Sequence, residues 1–345
     1  MKRAVVSIAR PVVVASWPAI EAGARALSRM NRVSGEIVQV SDRLTDEHVA
    51  ALEMLPSPPG CTRGTYLTLL KDTEYQKRHV LVRRADEPVA LLSLRRRKSF
   101  WEPVTQQCLP GFIAPAEDEQ ALKAALKYSG LEVAVSSGLA SSAASLEPSV
   151  QYGYDVYGVR LDTDYEAHWS LNKRRCRNSI QKARRKCKQF DVVVDGPDDL
   201  EWGLAAWRDM WKDDPEAEVC AYPDRLNFWR ALRDAPPGNR DQLGLRTLCV
   251  RDGDRIVACV IFLSCGDKLM WQSTSRSFDY DAYGVGTYAL DRAIEWAREQ
   301  GFKLVDLAGG GGFKADWAPV IGQRYGAEFR PAPIDFMRRI RPIYS

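Results

Sequence analysis

Histidine is scarce in this chain: there are three in 345 residues, His48, His79 and His168. None lies three or four positions from another histidine or from a cysteine, so the spacing of a zinc site is missing and no metal is expected. Eight cysteines are present, but no two form a C-x-x-C pair. A chain of this length does not depend on disulfides for its core, and the thiols read as reduced, packing residues of a cytoplasmic protein. No apolar run approaches the length of a membrane-spanning helix, so no membrane insertion is expected. Met1-Lys2-Arg3 followed by Ala4 to Ala9 opens like a signal peptide, but Arg10 and Pro11 break the run after six residues, and the segment reads as a strand. A P-loop Gly-Lys-Ser/Thr and a three-glycine dinucleotide fingerprint are both missing, which removes the commonest nucleotide folds.

The length and the 45% hydrophobic content give enough apolar surface for two cores. Basic and acidic residues nearly balance at 49 and 45, so the net charge of +4 says less than its distribution. Ten tryptophans and thirteen tyrosines suggest grooves with aromatic walls.

In the first half, His79–Arg83 and Val89–Leu94 read as strands around the turn Asp86-Glu87-Pro88. Phe100-Trp101-Glu102-Pro103 reads as loop, Asp118–Leu126 as a helix with Ala121, Leu122, Ala125 and Leu126 on one face, and Leu131–Val135 as a strand. The second half opens near Thr163-Asp164-Tyr165-Glu166, which has the form of a capping box. The helix that follows places Trp169, Cys176, Ile180, Ala183 and Cys187 on one side and surrounds them with Lys and Arg. From Asn172 to Lys188 it contains no acid. Helices are expected at Asp198–Trp211 and Pro223–Leu232. Leu245–Arg251, Arg255–Ser264 and Lys268–Ser275 then form strands, joined by Asp252-Gly253-Asp254 and Cys265-Gly266-Asp267, which makes an antiparallel meander. Val82–Ala90 lines up with Val250–Ala258 as strand, acidic turn and strand, which suggests duplication with a boundary between about Pro148 and Thr163.

Two glycine clusters carry the chemistry. Tyr283-Gly284-Val285-Gly286-Thr287-Tyr288 joins the meander to a helix whose apolar face is Leu290, Ala293, Ile294 and Ala297. Gly301 ends that helix, and Phe302–Leu307 is the next strand. Glycines there let backbone N–H groups approach a phosphate, and the helix N-terminus adds partial positive charge. The alternative is a tight strand-to-helix connection and nothing more. After the strand, Asp306 precedes Gly309–Gly312 and Phe313-Lys314. Lys314 could be carried over a site on that loop to neutralise negative charge, or could be a solvated surface lysine. Asp306 could orient or deprotonate a nucleophile, or cap the glycine run.

The meander, the glycine turn, the helix and the following strand resemble the acyl-CoA-binding half of the Gcn5-related N-acetyltransferase (GNAT) superfamily. The basic helix, Asp306 and Phe313-Lys314 are similar to the CelD/BcsL-like acetyltransferase branch and to the Fem-type aminoacyl transferases. Asp281 stands where the family's Arg or Gln precedes the glycine turn. The resemblance implies an α/β (α+β) fold of tandem GNAT-like domains, each a mixed, largely antiparallel sheet flanked by helices. It places a degenerate N-terminal domain at 1–155 and an acyltransferase domain at 156–345 that contains the basic helix 166–188. It also implies direct transfer of an acyl group from acetyl-CoA or another acyl-CoA to an amine or hydroxyl of a small-molecule or sugar precursor. Tyr283, Gly284, Val285, Gly286, Thr287 and Tyr288 would hold the donor. Trp271, Gln272, Ser273, Arg174 and Arg177 would face the acceptor, and Lys314, Asp306 and Phe313 would serve the transfer. Two alternatives are an aminoacyl-tRNA-dependent transferase and a non-catalytic binder of RNA or another polyanion, since a basic helix recognises phosphate without identifying what carries it.

Overall fold

The computed structural model describes residues 35–56, 63–71, 76–97, 100–104, 112–113, 118–129, 131–136, 146, 148–162, 174–213, 229–230, 232–234, 243–309 and 312–330. The N-terminal strand, the Thr163–Glu166 capping box, and Gly310 and Gly311 lie outside these residues. So does most of the helix expected at Pro223–Leu232. The chain divides into two compact units. Among the described residues one takes in 35–56, 70–153 and 325–330, and the other 63–69 and 154–324.

In chain order the first half contains β1 (Glu36–Ser41), α1 (Asp46–Met54), α2 (Arg63–Lys71), β2 (Lys77–Arg84), β3 (Glu87–Arg97), β4 (Phe100–Pro103), β5 (Phe112–Ile113), α3 (Glu119–Lys127) and β6 (Val133–Ser136). β1, β2, β3 and β4 pair antiparallel in sequence, β5 adds to β3, and β6 pairs parallel with β4 at Trp101 and Val133. The four residues expected on the inner face of α3 are all buried against Val80, Val82, Leu92, Leu94 and Trp101. Phe100–Pro103, read from sequence as loop, is strand β4. Its Pro103 pairs with Leu94 at the end of the ladder, where the missing N–H costs little.

The second half contains β7 (Val150–Arg160), α4 (Arg174–Lys186), β8 (Asp191–Val194), α5 (Asp199–Met210), β9 (Gly244–Asp252), β10 (Arg255–Cys265), β11 (Lys268–Arg276), a 3₁₀ turn (Phe278–Tyr283), α6 (Val285–Glu299), β12 (Leu304–Gly309), the short α7 (Lys314–Trp317) and β13 (Val320–Phe329). β9, β10 and β11 form the expected antiparallel meander, and β8, which was not expected, pairs antiparallel with β9. The meander's two-residue turns begin on Gly253 and Gly266, both at positive φ (57° and 60°), which matches the twist of the hairpins. β12 then pairs parallel with β11 and antiparallel with β7. Each unit is therefore a mixed sheet flanked by helices. The order β1, α1, β2, β3, β4, α3, β6 is repeated as β8, α5, β9, β10, β11, α6, β12, so the weak repeat seen in the sequence falls in corresponding hairpins.

In the second unit, α4 and α6 share a core with the meander. Cys176, Ile180 and Cys187 of the basic segment meet Val260, Phe262, Val285, Ala289, Leu290, Ala293 and Ile294. The alternation of alanine with larger residues along α6 lets the helix lie close to the strands, and each fully buried Leu or Ile contributes about 1.5–3 kcal/mol. One polar contact fastens α4 to α6. Arg184 donates from Nε and Nη2 to the two oxygens of Asp291, at 2.7 and 2.8 Å, and also reaches Glu295. Asp291 is 1% exposed, and burial raises its carboxyl above the usual range against the pull of Arg184. Arg184→Met would strand a buried carboxylate, so urea unfolding should show a loss of about 2–4 kcal/mol, most of it recovered when Asp291→Leu is added.

Candidate active site

The site is built on the second unit, from the end of β11 through α7, with β13 closing one side. At one end the chain leaves β11 at Arg276, makes the 3₁₀ turn and enters α6 through Gly284. This glycine has φ 75° and ψ 36° and accepts the N–H of Tyr288. A left-handed residue at the N-cap suits glycine, and no side chain caps the helix. By helix geometry the N–H groups of Val285, Gly286 and Thr287 have no acceptor within the helix. Val285 is fully buried in the core, so only its backbone can serve a ligand. Gly286 is half-buried, and a Cβ there would lie 3.2 Å from Arg276 Cδ, which places the Arg276 side chain beside the first turn. Arg276 Nε donates to Asp281 Oδ1 at 2.6 Å. Asp281 is therefore held by an arginine from the strand before the turn. α4 completes this end, with Lys186 Nζ donating to Ala282 O at 2.6 Å and Ala183 next to Gly284. Tyr283 is exposed and packs on Phe190, while the half-buried Tyr288 has its phenol raised by burial.

The corresponding helix of the first unit is closed to a ligand at the same position. The Asp118 side chain caps α3, accepting from Ala121 N at 2.9 Å, and Arg84 pairs with that carboxylate at 3.2 Å. An anion is thus already built into α3, whereas α6 begins on a bare glycine.

The centre of the site is a gap between two strands. β11 pairs with β12 only from Lys268 to Met270 against Leu304 to Asp306, yet β11 continues to Arg276. On its other side the register against β10 steps from Ile261–Ser273 to Phe262–Trp271, so Gln272 is the extra residue of a β-bulge. Gln272 Nε2 turns back to the carbonyls of Met270 and Trp271, at 3.2 and 3.3 Å. β12 is also irregular past Asp306: Ala308 has φ 64°, and the register against β7 shifts between Asp306 and Gly309. The backbone of β11 from Trp271 onward is thereby left open toward this gap.

At the far end Trp271 donates its indole N–H to Thr274 Oγ1 at 2.9 Å and presents its ring to two residues. Phe313 meets it edge-on at 5.8 Å between ring centres, and Lys314 Nζ lies 4.9 Å from the ring centre. Lys314 also donates to Gly309 O at 2.6 Å. Burial lowers the Lys314 amine from its usual value, Arg324 lowers it further, and Asp306 opposes the shift. Asp306 is 2% exposed, with Oδ1 accepting Ala308 N–H at 2.7 Å and Oδ2 accepting Arg324 Nη2 at 2.5 Å.

The structure thus brings Trp271, Asp306, Phe313 and Lys314 into one cluster. Ser273 is fully buried with its hydroxyl unbonded, so it cannot contact an acceptor through its side chain without rearrangement. Arg174 is exposed and Arg177 half-buried on the first turn of α4, which is tied to α7 by the pair Arg175–Asp316 at 3.3 Å. Three features escaped the sequence reading. Arg324 sits eighteen residues beyond its partner Asp306, on another strand, and no local pattern marks it. Arg276 was visible as the last residue before the turn, but nothing in its spacing aims it at Gly286. The bulge at Gln272 follows from pairing and leaves no motif. Among the described residues no cluster of His, Cys, Asp and Glu could hold a metal, and no helix is long and apolar enough to cross a membrane.

Residues 174–317 match the family model described as an acetyltransferase (GNAT) domain. Among solved structures the chain is similar to L-PGS from Bacillus licheniformis, at 12% identity and TM-score 0.52, covering 88% of this chain and 97% of that one. FemX matches at 11% identity and TM-score 0.48, over 89% of this chain and all of that one. A tandem GNAT protein from the clavulanic acid biosynthesis pathway matches at 12% and 0.46, over 85% and 98%. No curated protein matches by sequence. The match takes in the meander, the bare glycine cap and the parallel strand that parts from its neighbour, so these residues have the fold of a GNAT acetyltransferase domain.

Proposed function

We propose that this chain transfers an acyl group directly from acyl-CoA to an amine of a small-molecule or sugar precursor, with a hydroxyl as the other possible acceptor atom. The observation that carries this reading is the parting of β11 and β12 after Met270 and Asp306. The gap runs between a helix N-terminus open to phosphate and a half-buried lysine. The donor fits the residues present. Its pyrophosphate would take the N–H groups of Val285, Gly286 and Thr287, with Arg276 as the adjacent cation and Tyr283 and Tyr288 flanking. When bound, acyl-CoA supplies an activated acyl carbon. The open backbone of Trp271–Ser273 offers N–H donors to the carbonyl oxygen, where negative charge develops. Trp271 and Phe313 offer an aromatic wall to the acceptor, and Lys314 moves its proton. Assignment to the CelD/BcsL-like branch and a cytoplasmic setting belong to the same proposal.

A second reading, transfer from aminoacyl-tRNA, is favoured by one observation. Arg174, Lys182, Arg185 and Lys188 are exposed on or just beyond a helix with no acid of its own. A binder of RNA without catalysis would use the same face. Thermal-shift titration separates these readings. Stabilisation by acetyl-CoA, absent with tRNA, supports acyl-CoA transfer. Binding of tRNA that falls roughly 50-fold between 50 and 200 mM salt and is lost in Arg174→Ala/Lys182→Ala/Arg185→Ala/Lys188→Ala supports the RNA readings, with aminoacyl turnover dividing the two.

Two substitutions test the site itself. Gly286→Glu places a carboxylate beside Arg276 and should weaken acetyl-CoA at least about 100-fold by calorimetry, while the Tm of the free protein stays within a few degrees of wild type. Normal affinity would remove the α6 N-terminus from the site. Lys314→Met keeps the stem on Trp271 and should lower turnover about 100- to 10,000-fold. Its effect on stability has the opposite sign. The folded lysine is depressed below its unfolded value of 10.5, so the folded state binds fewer protons between the two values and gains stability as pH rises through that window. Burial makes the charged form a cost wherever the amine is protonated, so the Tm of Lys314→Met should equal or exceed that of wild type.

A further inference from the structure

Lys314 and Asp306 occupy the same cluster, and both could in principle take a proton from an incoming amine. Their surroundings differ in a way the sequence does not show. Both oxygens of Asp306 are already used, one by Ala308 N–H and the other by Arg324, and the carboxylate is 2% exposed. A proton on Asp306 would have to displace a charge-assisted hydrogen bond within the protein. Among the described residues Lys314 makes one hydrogen bond, to Gly309 O, and no ion pair with a carboxylate. The nitrogen that donates one N–H to Gly309 keeps a lone pair when neutral.

The charged and polar groups around Lys314 come from four elements besides its own. Asp306 on β12 favours the ammonium, as does the Trp271 ring on β11. Arg324 on β13 opposes it. Asp316, on the same short helix, is engaged by Arg175 from α4. The balance depends on how much of the Asp306 charge Arg324 cancels.

We infer that Arg324 is a positioning residue for the transfer centre: by holding Asp306 in a closed ion pair it leaves Lys314 facing no free carboxylate, and makes Lys314 the group that accepts the acceptor's proton. This rests on the acyl-transfer reading above. The proton leaves the acceptor nitrogen for Lys314 Nζ as the new carbon–nitrogen bond forms and the carbon–sulfur bond breaks. It then passes to the departing sulfur, so Lys314 ends as it began. Asp306 does not change protonation, and Arg324 touches neither substrate.

The test reads Lys314 directly and does not depend on turnover. Reductive methylation with ¹³C-formaldehyde gives each lysine an NMR signal, and the one missing from Lys314→Met is assigned to Lys314. In Arg324→Met the unpaired Asp306 carboxylate should raise the Lys314 midpoint by at least about one pH unit. Arg324→Lys should restore most of the wild-type midpoint, and Arg324→Met/Asp306→Asn, which removes both charges, should return it close to wild type. The double variant and Arg324→Lys keep the test open if Arg324→Met folds poorly. An unchanged midpoint in every variant would overturn the inference. The acid limb of kcat/KM against pH, measured with acetyl-CoA and an amine, should move upward in step with the NMR midpoint. A midpoint that shifts while the acid limb stays would show that Lys314 does not take the proton, which also overturns it. Failure of wild type to acylate any amine would count against the functional reading alone, because the NMR series would still decide the link between Arg324 and Lys314.

Discussion

The site depends on a broken ladder. Two parallel strands normally keep their hydrogen bonds along their common length, because an unpaired backbone group buried away from water is costly. β11 and β12 part after three residue pairs, and the irregularities beside the parting make it possible. Gln272 is looped out as a bulge on one side, and Ala308 turns through positive φ on the other. The meander packs through Val260 and Phe262 onto α4 and α6.

Charge is distributed around the site with little waste. α4 looks in sequence like one long cationic surface, but several of its cations are committed. Arg184 goes to Asp291 and Glu295, Arg175 to Asp316, and Lys186 to the carbonyl of Ala282. These contacts draw α4 over the start of α6 at one end and toward α7 at the other, so the basic helix acts first as a structural clamp. Only its remaining outward cations are available to a partner. At the start of α6 Arg276 is paired with Asp281.

The two units repeat the same order of elements, yet differ where chemistry would occur. α3 is capped by the Asp118 carboxylate and Arg84, while α6 is capped by Gly284 and carries no side chain at its mouth. An anion cannot approach a helix end that already holds one. This local difference leaves one helix start open and the other closed by its own side chains.

Much of the fold was legible from periodicity and turn chemistry. The meander, the apolar face of α6 and the buried side of α4 follow from residues spaced two, or three and four, apart, and such patterns are local. Gly284 announced the helix start for the same reason, since a left-handed cap needs glycine. Strand β4 was missed because Glu102 and Pro103 imitate a turn, and its pairing with β3 is set by the sheet. The chemistry of the site was only half visible. Lys314 and Asp306 could be named from sequence, but not their relation, because Arg324 reaches Asp306 from a separate strand, and burial and Arg324 together depress the Lys314 amine. The sequence by itself determined which segments would be helix or strand and where the backbone could bend. The tertiary structure decided which strands part and which carboxylate is already paired, because those depend on distances between residues far apart in the chain.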